Sequence, residues 1–128
     1  MICLADNPKT DGFSISAYHS DLELFMKRGR ELKEEGFDFK TIFDIRESEA
    51  TSGSLKMPSR ATLYVLDGNI NEQTKEIENA YLRYVIYIPF ATPESTGLPT
   101  KPSTPSEPWI MDPGTHRAHI MISPERNK

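Results

Sequence analysis

The rhythm of apolar and polar positions changes several times along the chain. "ICLAD" and "FSISAYH" are short extended runs separated by "NPKTDG", whose Asn, Pro, Asp and Gly favour turns, so the chain is expected to open with a β-hairpin or at least two short extended pieces. The rhythm then turns helical: in "SDLELFMKRGRELKEEG", Leu22, Phe25, Met26, Gly29 and Leu32 recur at the spacing of one helix face. Ser20 and Glu23 have the spacing of a capping box, and Gly36 supplies the stop. A second helix is expected from Asp38, with Phe39, Ile42, Phe43 and Ala50 marking its apolar face, Glu47 and Glu49 in water, and an end near "TSGS".

Beyond "MPSR" the pattern becomes that of strands. "ATLYVLDG" and "AYLRYVIYIP" are rich in Thr, Tyr, Val and Ile, and the polar run "NINEQTKEIEN" between them suits a connection of antiparallel neighbours. Alternation in the second strand puts Leu82, Tyr84, Ile86 and Ile88 on a face expected to be core, and Tyr81, Arg83, Val85 and Tyr87 on an amphipathic one. Residues 90–108 form a strap of Pro, Ser, Thr and Gly, whose composition favours extended chain over helix. A last strand is expected over residues 116–123, before the charged end "PERNK". These elements make an α+β fold in a single domain, 1–128: two helices in the N-terminal half, an antiparallel sheet of at least three strands, and a long Pro-rich strap.

Composition narrows the functions. Hydrophobic residues make up 37% of the chain, a thin supply, so that some apolar surface is expected to be completed by other chains or by residues outside this sequence. The formal charge of −4 divides evenly between the two halves, with no basic block, so nucleic acid is not expected as a partner. The densest basic patch, Lys27, Arg28, Arg30 and Lys33, is interleaved with Glu31, Glu34 and Glu35 and reads as a solvated helix face. No apolar run is long enough to span a bilayer as a helix. Cys3 is the single cysteine, with no second cysteine to make an internal disulfide.

The run "YVIYIPFATPESTGLPTKPSTPSEPWIMDPGTHRAHIMI", with "MICLADNP" and "FMKRGREL", resembles an uncharacterised bacterial, mostly exported protein family. In that family a Pro-rich segment leads to a Pro-Trp-(Ile/Val/Leu)-Met stretch, a Gly-Thr pair and a terminal His-(Ile/Val)-Met strand. The match rests on Trp109, Met111, Gly114, Thr115, His119 and Met121 and extends over nearly the whole chain. The resemblance implies an upstream extension with a signal peptide in relatives, so that this chain is expected to be a truncated form or an alternative start, and a second cysteine near the position of Ala17, able to pair with the counterpart of Cys3. It implies no reaction.

Candidate chemistry gathers near the C-terminus. His116 and His119 invite a metal, but three residues apart on a strand they face opposite ways unless Gly114 and Thr115 turn the chain at His116, and no Cys or His cluster supplies further ligands; neither metal nor cofactor is expected. "DPGTHR" reads first as a tight turn, with Pro113 fixing φ and Gly114 taking a conformation that other residues avoid. The same turn could offer backbone N–H groups and the Arg117 guanidinium to a carboxylate or phosphate. No nucleophile elbow is present. The leading expectation is a non-enzymatic exported or envelope-associated domain acting by self-association or partner binding, with Tyr81, Tyr87 and Trp109 as interface residues, Trp109 also pinning the strap. The alternative is a small-molecule or anion binder, or an enzyme, using Arg83, Asp112, Arg117 and His119.

Overall fold

The structure, a computed structural model, describes residues 1–4 and 12–124. Six strands, β1 (Ile2–Leu4), β2 (Phe13–Tyr18), β3 (Ala61–Ile70), β4 (Ile77–Tyr87), β5 (Trp109–Met111) and β6 (His119–Ile122), form one sheet in the order β1-β2-β3-β4-β6-β5. Every neighbouring pair is antiparallel, so the fold is α+β as expected, with a larger sheet than the minimum read from sequence. The first two strands pair as anticipated; the "NPKTDG" turn between them lies almost wholly outside the described residues, as does most of "PERNK".

Strand order accounts for the length of the strap. Because β6 lies between β4 and β5 and is antiparallel to both, β4 and β5 run parallel, and the chain must return the length of the sheet before β5 can begin. Its path is not wholly extended, contrary to composition. Pro93–Thr96 makes one helical turn, α3, because Pro93 opens it and Thr92 and Ser95 form a reciprocal capping box. The strap then passes beside β5, where Pro99 O accepts from the Ile110 N–H at 2.9 Å.

The two long helices are α1 (Glu23–Glu34) and α2 (Phe39–Ser52). Gly36, at φ +94°, ends α1 as foreseen: its N–H reaches Lys33 O while that of Phe37 reaches Leu32 O. At the other end the expected Ser20–Glu23 capping box is replaced. A 3₁₀ turn at Ser20–Leu22 precedes α1, its Asp21 N–H capped by His19 Nδ1. Glu23 turns instead to the Tyr18 hydroxyl, which donates to it at 2.6 Å, and to Arg30. Tyr18 is 0% exposed, and a buried hydroxyl needs that acceptor.

Asp38 caps α2 by accepting from the Thr41 N–H at 2.8 Å, and Gly53 closes it at φ +88°. Its apolar stripe departs from expectation, since Phe39 is 66% exposed and the buried positions are Ile42 and Arg46. Glu47 and Glu49 are not simply water-facing either, being bound to His116 and to Arg28 respectively. Arg46 fits against α1 because Gly29 leaves space; a Cβ at residue 29 would lie 2.7 Å from Arg46 Nη1. The guanidinium carbon sits 3.9 Å from the Phe25 ring centroid, and Nη1 donates to Phe25 O at 3.0 Å.

Helices cover one face of the sheet. Tyr18, Ala61, Val85 and Tyr87 form its core with Leu22, Phe25 and Leu55, while Leu63 and Met121 pack against that cluster. This reverses the sequence assignment for β4: Val85 and Tyr87 are buried, whereas Tyr84 and Ile86 are partly exposed and Leu82 is 38% exposed. Alternation correctly separated the two sets, but the helices cover the less apolar one, whose single charge, Arg83, is paired with Asp67, so hydrophobicity alone pointed to the wrong face.

Candidate functional site

β5 and β6 are joined by the turn that carries "DPGTHR". The expected strand at 116–123 is shorter, beginning at His119, because Thr115 and His116 still belong to the turn. Asp112 and Gly114 take positive φ of 52° and 76°, folding the chain so that the Gly114 N–H donates to Ala91 O and the Phe90 N–H to Thr115 O, both at 2.7 Å. The strap is thereby tied to the turn.

A carboxylate does occupy this turn, and it comes from the chain itself. The His116 backbone N–H donates to both Glu47 oxygens, at 3.2 and 3.0 Å, and His116 Nδ1 lies 3.0 Å from Oε2. The imidazole is 0% exposed and stands between the Phe25 and Phe43 rings, with centroids 5.6 and 5.0 Å away. As an ionised carboxylate can only accept, Nδ1 carries the proton and Nε2 of the neutral ring is left bare, with no hydrogen-bond partner among the described residues. Burial pushes the His116 pKa down, outweighing the opposing pull of Glu47. Arg46 is pulled down to about 10, chiefly by its own burial, and stays charged near neutrality.

Three of the four residues expected to bind a ligand do come together. Arg117 Nη1 meets Asp112 Oδ2 at 2.6 Å, and its guanidinium carbon lies 5.4 Å from the Phe39 ring centroid. His119 is buried, its Nδ1 2.5 Å from Arg117 O and its ring 5.2 Å from that of Tyr87. Burial also lowers its pKa. Arg83 stands apart: it pairs with Asp67 at 2.9 Å and lies four residues along β4 from Tyr87, roughly 13 Å by strand geometry. His116 and His119 both lie on the helix-covered side, against the expectation that they face opposite ways, because the turn reorients His116. They engage different acceptors, and among the described residues no three His, Cys, Asp or Glu side chains gather as metal ligands.

Of the expected interface residues, only Tyr87 is withdrawn from the surface. Tyr87 is buried at 4% exposure, Tyr81 donates its hydroxyl to Pro124 O at 2.6 Å, and Trp109 is partly buried opposite Met121. By register all three lie on the helix-facing side of the sheet. Tyr87 is therefore part of the core and offers no surface.

On the opposite side an apolar face carries neither α1 nor α2, although its β5 end is closed, with Ile110, opposite Ile120, only 1% exposed. Its rungs are Thr62 opposite Ile86, Tyr64 opposite Tyr84 and Leu66 opposite Leu82, continued by Ile120 and Ile122 on β6 and by Ile15 and Ala17 on β2. None of these positions is charged; Asp67 and Arg83 lie on the other face and neutralise each other, and Glu78 stands at the hairpin end of β4, opposite Asn69. Tyr64 and Tyr84 meet edge to face at the centre, with centroids 5.6 Å apart. A shallow groove of about 480 Å³ between α1 and residues 54–56 is lined by Leu24, Lys27, Arg28 and Glu31, away from every residue expected to bind a ligand. No family profile, curated protein or solved structure matches the chain.

Proposed function

We infer that this chain is a non-enzymatic interaction domain whose working surface is the open face of its sheet. One observation carries the reading. An antiparallel sheet with helices on a single side ordinarily turns polar residues to water on the other, yet here the outward positions over the central rungs of β2, β3, β4 and β6 are apolar or uncharged. Contiguous apolar surface of a few hundred Å² is characteristic of interaction sites. The anion-binding alternative has weaker support because two carboxylates of the chain already occupy the turn: Glu47 accepts from the His116 N–H, and Asp112 pairs with Arg117 Nη1. Export of the domain rests on the family resemblance and belongs to the same proposal.

The test is binding of an environment-sensitive hydrophobic dye at high dilution, with wild type compared with a Leu82→Lys/Tyr84→Lys variant of matched unfolding midpoint. Wild type is expected to bind the dye, and the variant to lose most of that signal. Dye binding that is absent, or indifferent to both substitutions, overturns the reading.

A further inference from the structure

We propose that the occupant of the open face is a second copy of this chain, packed sheet on sheet about a two-fold axis near the Tyr64–Tyr84 pair. This rests on the interaction reading above and names the partner.

The first argument is charge. A surface without charges imposes no electrostatic preference for an acidic or basic partner, and it meets its own image without placing like charges together. The surroundings disfavour an anionic lipid surface: Glu72, Glu76 and Glu78 lie at the β3–β4 hairpin beside the face, with Lys75 as the only basic residue among them.

The second argument is shape and area. Two sheets of the same twist pack at about 10 Å with their strands within about 30° of each other, and copies of one chain share that twist by construction. Strands at about 4.8 Å spacing and about 20 Å in length give each face a plan area on the order of 400 Å² over β2, β3, β4 and β6. Two such faces with interdigitated side chains reach about 1,000 Å² in total, where specific interfaces begin. The sandwich would supply Leu66, Leu82 and Ile86 with the second layer that the helices give Val85 and Tyr87.

Sedimentation over a concentration series, in reductant because Cys3 is exposed, reads the outcome. Wild type is expected at twice the monomer mass, with dissociation in the micromolar range. Leu82→Lys/Ile86→Lys should weaken association by about 100-fold, since each copy would bury unpaired ammonium groups, while near-ultraviolet circular dichroism stays native. Should that variant lose its fold, Leu82→Thr/Ile86→Thr, which suits strand and surface alike, serves instead and should weaken association less steeply. A wild type that stays monomeric throughout, or a dimer indifferent to both variants, overturns the proposal. So does a monomer that floats with phosphatidylcholine vesicles, which assigns the face to lipid. A monomer that still binds hydrophobic dye through this face removes the second copy and leaves the interaction reading standing.

Discussion

At the scale of single residues, the His116–Glu47 pair holds α2 to the C-terminal turn across most of the chain length. Glu47→Ala deprives the backbone N–H and ring Nδ1 of His116 of their acceptor and should cost about 1–3 kcal/mol, measured as a shift in urea midpoint at constant slope. The pH dependence has a definite sign. The folded pKa of His116 lies below its unfolded value, so the unfolded chain binds the extra proton, and the stability contributed is complete above the unfolded value near 6.5. It is lost as pH falls from there through the depressed folded value. His119 adds a change of the same sign. Urea midpoints at pH 7.5 and 5.5 should therefore show weakening on acidification, and His116→Phe should reduce the difference between them. Neither role was legible in the sequence. Glu47 has the spacing of a water-facing helix residue, and its partner lies 69 positions away, beyond the reach of any local pattern.

At the scale of elements, the helix boundaries were legible because caps are local chemistry: Asp38 and the two stop glycines act within a few residues of themselves. The failed Ser20 cap marks the limit, since Glu23 was claimed by a buried tyrosine outside the helix. The α1–α2 contact follows the same logic. In isolation Gly29→Ala should favour α1 by about 1 kcal/mol, but here the new methyl displaces the pinned Arg46 guanidinium. A net loss of about 1–2 kcal/mol is expected, and Arg46→Met should recover much of it, a coupling that thermal unfolding of the two single variants and the double variant would measure. At the sheet edge, β1–β2 register places Cys3 directly opposite Ala17, the pair of positions at which the resemblance implies a disulfide in relatives. Ala17→Cys should oxidise to a bond with Cys3 and stabilise the chain by up to about 3 kcal/mol, seen as loss of free thiol and a melting temperature that falls on reduction.

At the scale of the molecule, the open face makes assembly the central expectation. If copies associate through it, melting temperature should rise with protein concentration in wild type and not in Leu82→Lys/Ile86→Lys. The sequence by itself determined the two long helices and most of the strands, though neither α3 nor β5: hydrophobic period separates helix from strand, capping groups set most helix ends, and alternation sorts each strand into two sets of side chains, all through interactions within a few residues. Tertiary structure decided which set the helices cover, where β6 is inserted, and that the carboxylate in the turn is Glu47. On β4 the docking of α1 and α2 covered the set that contains Arg83, which Asp67 neutralises, and left the more apolar set uncovered, a choice that local hydrophobicity could not foretell. Leu82, Tyr84 and Ile86 kept the composition of an interior while the fold left them outside it.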